Sequence, residues 1–238
     1  KVEWEGGKKV VSARDVDSGK VREFAAEEVM VAAGRRPNTD ILKPEKTGVE
    51  VDRHGWIVVD DYLETTRPGV WAIGDAIGKH MFRHAANREA RLAWNNAFGD
   101  LNEGKREKEK VDYHAVPHAV FAYPQVGAVG MTEEGAKASG YKILVGRAKY
   151  TDVAKGYAMA EEESLVKVVV QRETGRILGC QIVGSEAANL VQQVVYLMNA
   201  GSQDYRPLAR SMVIHPALSE VVARAFANLM PPKEVIAP

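Results

Sequence analysis

The sequence predicts two fold classes in succession, α/β and then α+β. Three observations carry that expectation. Residues 28–33, apolar after Glu28, and 70–73 read as buried strands that stop at Gly34 and at Gly74-Asp75. The second run leads into a long helical pattern, the strand, turn, helix order of an α/β unit. From Pro117 onward the pattern changes, and β runs joined by turn residues are interspersed with amphipathic helices. The 238 residues, 45% hydrophobic and 27% charged, can also bury one large core or two modest ones.

Taken in order, the chain opens on a β-meander, with turns at Glu5-Gly6-Gly7-Lys8 and Asp17-Ser18-Gly19-Lys20 between strands such as 10–14 and 21–24. The apolar strand at 28–33 follows. Pro37, in the loop 35–39, has no N–H to extend a ladder, so a topological boundary is expected there. Two strands flank the His54-Gly55 turn. The helix at 82–98 repeats Ala85, Ala86, Ala90, Ala93, Trp94 and Ala97 at helical spacing, and Gly99 stands where a left-handed cap is expected. Residues 103–110 alternate in charge sign and read as a solvated linker.

In the second half, Thr132 followed by Glu133 and Glu134 caps a short helix closed by Gly140. Strands are expected at 142–150, 165–172 and 177–183, with a hairpin turn at Glu173-Thr174-Gly175-Arg176. A helix from Ser185 to Gly201 carries Ala187, Leu190, Val191, Val194 and Met198 on one face. A last helix starts at Pro216, a residue suited to a first turn, and runs to about Met230, where Pro231-Pro232 ends it.

Composition excludes several function classes. Lysine plus arginine equals aspartate plus glutamate at 32 each, so no net field draws in nucleic acid or a membrane surface. No run approaches the roughly 20 apolar residues that cross a bilayer, and residues 1–9 do not resemble a signal peptide. A cytoplasmic protein is expected. The chain begins at Lys1, with residues 2–4 reading as the middle of a hairpin strand, as expected where upstream sequence has been removed. The single cysteine, Cys180, lies in an apolar run and is expected to be buried and inert.

Two segments suggest chemistry. In Thr65-Thr66-Arg67-Pro68-Gly69-Val70-Trp71-Ala72-Ile73-Gly74-Asp75 a buried strand delivers a carboxylate to a sheet edge, and Gly74 lets a ligand approach the backbone; Asp75 could then accept hydrogen bonds from sugar or ribityl hydroxyls. Taken alone, Gly-Asp is more often just a turn. In Ile214-His215-Pro216-Ala217-Leu218-Ser219-Glu220, a carboxylate one turn beyond a histidine could fix its tautomer, as a general acid or base requires. Most histidines before a helix do no chemistry.

Both segments resemble motifs of the pyridine nucleotide-disulfide oxidoreductases. The first is similar to that family's second flavin-binding motif. Val31-Ala32-Ala33-Gly34-Arg35-Arg36-Pro37-Asn38-Thr39 is similar to the return from the nicotinamide domain to the flavin domain, and the His215-to-Glu220 segment to a His-Pro-x-x-x-Glu dyad, with Ala217 where threonine is usual. Residues 117–238 resemble the family's interface domain, including Tyr123-Pro124-Gln125-Val126-Gly127, with Gln125 where glutamate is often found. The resemblance covers nearly the whole chain. It implies a remnant of an FAD/NAD(P)-binding Rossmann-like domain followed by an α+β dimerisation domain. The expected divisions are 1–33 for the end of the nicotinamide domain, 34–110 for part of the FAD domain and 111–238 for dimerisation.

By the same resemblance, Asp75 and Gly74 contact the flavin's ribityl chain, and Gly34 belongs to the cofactor-binding connection between domains. His84 and Ala85, at the start of the long helix, offer backbone contacts to the flavin's pyrimidine edge, where a helix N-terminus suits negative charge. The His84 side chain could equally cap the helix or sit at an interface. His215 and Glu220 would act in trans in a homodimer, on a dithiol or disulfide substrate such as dihydrolipoamide, with FAD and with NAD or NADP. The sequence has neither the redox cysteine pair nor a G-x-G-x-x-G fingerprint, so it is not expected to turn over by itself. The resemblance runs nearest to dihydrolipoamide dehydrogenases. Mycothione reductases compete, through the His-x-x-Asn-x-Glu-Ala stretch at 84–90. Mercuric reductases are disfavoured, because residues 234–238 lack a vicinal cysteine pair. A non-catalytic dimerisation scaffold is the alternative of a different class, and such a scaffold would have no need of Asp75, His215 and Glu220.

Overall fold

The computed structural model describes residues 1–99 and 107–232. The first strands, β1 (Val2–Glu5), β2 (Lys8–Arg14) and β3 (Val21–Ala26), form the expected antiparallel meander, with Val2 opposite Val11 and Val11 opposite Phe24. Residues 28–33 do not form the expected strand, and Met30 and Val31 are exposed at 90% and 83%. An apolar run becomes a strand only where a neighbouring backbone supplies its hydrogen bonds, and none pairs with it among the described residues.

The segments around His54-Gly55 and at 70–73 are likewise reduced from strands to single antiparallel bridges, Val51 to Ile57, Val59 to Thr65 and Glu64 to Trp71. They still deliver Leu63, Ala72 and Ile77 to a small core against Leu92 and Ala93 of α1 (Arg83–Phe98). That helix begins one residue later than expected and buries only part of the expected stripe. Ala85, Glu89, Leu92 and Ala93 are buried, while Ala90 and Trp94 are exposed. Gly99 is right-handed, at φ −57°, because its N–H still reaches the Asn95 carbonyl at 2.8 Å and the helical bonding runs through it. Of the charged run expected as a linker, 103–106 lie outside the described residues; Lys108 and Lys110 pair with Glu64 and Asp61 of the first half. Residues 234–238, expected to carry no cysteine pair, also lie outside them.

The second half is the expected α+β unit. Among the described residues, β4 (Pro117–Val120), β5 (Val126–Gly130), β6 (Ile143–Lys149), β7 (Leu165–Gln171) and β8 (Ile177–Val183) form an antiparallel sheet in the order β4, β5, β8, β7, β6. Both faces are covered, which is why β7 reads Leu-Val-Lys-Val-Val-Val. Val166, Val168 and Val170 point to one face, under α4 (Ala187–Met198) and α6 (Ser219–Ala227). Val169, with Val145 and Leu178, points to the other, against Ala136 of α2 (Glu133–Ala138). Short helices α3 (Ala154–Ala158) and α5 (Arg206–Arg210), which the sequence reading missed, complete the layer.

Helix α4 is set by its apolar face, on which Leu190, Val191 and Val194 are buried, each stabilising the fold by about 1.5–3 kcal/mol. It closes at Met198, short of Gly201. Helix α6 lies so close to the sheet that a Cβ on Gly146 of β6 would stand 1.9 Å from the Ala225 carbonyl oxygen, so glycine is required there. Cys180 is fully buried in this core, and burial pushes its thiol far above the ordinary range, as an inert structural cysteine requires.

Candidate functional site

Gly74 and Asp75 begin a single turn of 3-10 helix directly after the bridged segment. Gly74 is in the left-handed region at φ +64°, and its N–H donates to Oε2 of Glu89 at 2.5 Å. That geometry turns the Asp75 carboxylate outward, where it pairs with the Arg35 guanidinium while its side chain stays half exposed. Arg35 follows Gly34, which is at φ +93° with open space where a Cβ would point. The Arg35 side chain thus links the segment after Gly34 to Gly74 and Asp75.

Helix α1 begins beside them without a side-chain cap and with no acidic residue in its first turn. Its first N–H groups keep their partial positive charge. The His84 ring is used structurally: Nε2 lies 2.7 Å from the Pro117 carbonyl oxygen, and the ring stacks on Phe82 at 5.3 Å between centroids. Of the two roles open to the side chain, the interface is the one observed. Ala85 is buried, and both residues line a cleft of about 750 Å³ between α1, β4 and α4.

Glu89 was not singled out by sequence reasoning. It is 1% exposed on the buried face of α1, and both carboxylate oxygens are used, Oε1 accepting from the Tyr113 hydroxyl at 2.7 Å. A signal was present. An acid at 89 falls one turn after Ala85 and three residues before Leu92, on the apolar stripe.

His215 and Glu220 form a separate cluster. Helix α6 begins at Ser219 rather than Pro216, because the Glu220 carboxylate reaches back over the preceding turn: Oε2 accepts the Ala217 N–H at 3.0 Å and Oε1 lies 2.9 Å from His215 Nδ1. The Ala217 N–H, and after it the His215 ring, hold the Glu220 carboxyl below the usual carboxylate range. An ionised carboxylate accepts only, so the ring proton sits on Nδ1 and Nε2 carries the free lone pair. The imidazole is 67% exposed, with that nitrogen open to a substrate. No hydrogen bond or ion pair among the described residues joins this pair to Asp75 or to α1.

Two sequence profiles match this chain. One, described as pyridine nucleotide-disulphide oxidoreductase, covers residues 1–90, and one described as the dimerisation domain of the same enzymes covers residues 116–226. The chain belongs to the pyridine nucleotide-disulphide oxidoreductase family. A mycothione reductase of Mycobacterium tuberculosis (strain ATCC 25618 / H37Rv) is 39% identical over 86% of this chain and 44% of its own length. A dihydrolipoyl dehydrogenase of Synechocystis sp. is 38% identical over 83% of this chain and 42% of its own length. Among solved structures, the HOCl-induced flavoprotein disulfide reductase RclA from Escherichia coli superposes with a TM-score of 0.79 at 29% identity, over 95% of this chain and 49% of that one. The chain therefore spans less than half the length of these family members. Among the described residues no helix is long and apolar enough to cross a membrane, and no group of histidine, cysteine or acidic residues is arranged to hold a metal.

Proposed function

We propose that this chain contributes part of an FAD site and the acid–base pair of a dithiol/disulfide oxidoreductase that works as a homodimer. The observation that carries the reading is the exposed His215 imidazole, held by Glu220 with Nε2 open, in the dimerisation domain of this family. Residues 1–33 would close a nicotinamide-binding domain, 34–110 would complete an FAD-binding domain and 111–238 would dimerise.

The residues fit FAD. Asp75 offers a half-exposed carboxylate to ribityl hydroxyls, Gly34 leaves the backbone approachable, and the uncapped start of α1 at His84 and Ala85 suits the negative edge of a reduced flavin, while Gly74, buried against Ala86 with its N–H held by Glu89, shapes the turn that presents Asp75 rather than meeting the ligand. Bound FAD would carry electrons between the dithiol couple and NAD or NADP. His215 Nε2 takes the proton from a substrate thiol of the partner subunit's site, and Glu220 keeps the imidazole in the tautomer that can accept it and stabilises its cation. The thiolate so formed is the nucleophile for disulfide exchange.

Dihydrolipoamide is the first substrate choice. Mycothione disulfide is the second, favoured by the 39% identity to a mycothione reductase. Assaying the natural full-length protein with both substrates and both nicotinamides separates them. In either case His215→Ala is expected to lower turnover by at least a hundredfold with flavin content unchanged. Turnover near the wild-type rate would remove His215 from the mechanism.

A further inference from the structure

Glu89 poses a problem for its own helix. Its neighbours on the buried face are Ala85, Leu92 and Ala93, a setting in which leucine would pack without the desolvation cost of a carboxylate. Its two oxygens are instead fully committed, to the Gly74 N–H at 2.5 Å and the Tyr113 hydroxyl at 2.7 Å. Burial, and then the bond to Glu89, push the Tyr113 phenol above its ordinary range, so it remains a proton donor. Tyr113 is also held by ring contacts, with His80 at 4.6 Å and Lys79 above it.

The next residue faces the other way. His114 places Nε2 2.9 Å from the Met198 carbonyl oxygen, at the end of α4, and Nδ1 2.7 Å from Asp112. Consecutive side chains therefore grip the two halves of the molecule.

We propose that Glu89 is a positioning residue for the flavin site. It locks the Gly74-Asp75 peptide onto α1, so that the Asp75 carboxylate and the start of the helix move as one body. Through Tyr113 it ties that body to the connection into the dimerisation domain. The inference rests on the reading of Asp75 and α1 as flavin contacts. It further requires that Glu89 act through its two hydrogen bonds rather than its charge. A glutamine can make both, its carbonyl accepting from Gly74 and its amide donating to the phenol oxygen, whereas a leucine makes neither.

The test is a titration of the apo form of the natural full-length protein with FAD, together with amide hydrogen exchange at Gly74. Glu89→Leu is expected to raise the FAD dissociation constant and the Gly74 exchange rate by roughly tenfold or more, the scale of one hydrogen bond to a charged acceptor. Glu89→Gln is expected to stay within about threefold of wild type in both, and Tyr113→Phe, which keeps the ring, to shift both by about threefold to tenfold. Wild-type values in Tyr113→Phe or in a folded Glu89→Leu protein would overturn the inference, and so would a Glu89→Gln protein as weak as the leucine variant. Each of those results leaves the flavin reading standing, because the wild-type protein still binds FAD. A wild-type protein that takes up no FAD overturns that reading and this inference with it.

Discussion

A histidine becomes a base when something decides which nitrogen holds the proton, and here Glu220 decides it. Its carboxylate is ionised through neutral pH because the Ala217 N–H and the His215 ring both favour the charged form. Glu220→Gln tests this directly. The amide can still accept from Ala217, but an amide N–H facing Nδ1 moves the ring proton to Nε2, the nitrogen that must accept one. Turnover with the dithiol substrate is expected to fall on the order of a hundredfold with flavin content and melting temperature near wild type; stopped-flow thiol oxidation measures it, and a loss under threefold would disprove the tautomer argument. This pair was legible in the sequence because five residues separate its members and one local turn brings them together. Gly74 and Asp75 stood out only by resemblance, since locally Gly-Asp reads as a turn and their partners Glu89 and Arg35 lie 15 and 40 residues away. The contacts of Glu89 with Gly74 and Tyr113 were not legible: they span 15 and 24 residues, and no local spacing encodes a contact made by tertiary packing.

At the scale of elements, the strand at 177–183 matches its expected bounds because its apolar run, its turn and its sheet partners all lie in the same half of the chain. The runs at 28–33 and 70–73 carry the same local signal, yet among the described residues the ladders that would make them strands are missing. Element type thus follows from pattern only where the pairing partner is also present. Helix α2 shows how a short element is held in place. Thr132 caps it through its hydroxyl, which accepts the Gly135 N–H at 3.0 Å, and Glu133 in the first turn meets Lys137 of its own helix, Arg147 of β6 and Lys167 of β7, each at 2.8 Å. The bonds to Lys137 and Lys167 lower the Glu133 carboxyl from 4.5 to about 2, and its side chain is only 9% exposed. A carboxyl lowered in the folded state contributes stability that is complete above its unfolded value and is lost as pH falls through the folded one. Glu133 is therefore expected to contribute on the order of 2–3 kcal/mol at pH 7, fading between about pH 4.5 and about pH 2. Urea unfolding of wild type and Glu133→Gln at pH 7 and pH 3 checks it: the gap between the two proteins should shrink at the lower pH, and a gap that grows would reverse the sign.

The whole molecule divides its apolar burial unevenly. Val166, Val168, Val170, Ile182, Leu190, Val194, Val221 and Phe226 belong to one core, whose members all lie after residue 111, with Ala115 and Leu229 packed at its margins. The core of the first half is a handful of residues around Leu63 and Leu92, while Trp4, Phe24, Met30 and Val31 stand in solvent. Between the two lie directional contacts, Glu89 to Tyr113 and His84 to Pro117, rather than a shared apolar core. Hydrogen bonds of this kind orient domains but contribute only about 0.5–1.5 kcal/mol each, or somewhat more where a charged group takes part, against the far larger burial inside the sheet-and-helix unit. Residues 111–238 are therefore expected to fold alone, with a single cooperative transition in thermal circular dichroism, and residues 1–110 alone to show none. The sheet's antiparallel neighbours β7 and β8 are joined by the turn at 173–176, so its central ladder needs no strand from the first half. A non-cooperative melt of the isolated 111–238 segment would mean that the bracket at Tyr113 and His114 carries stability as well as orientation, and that the two halves form one folding unit.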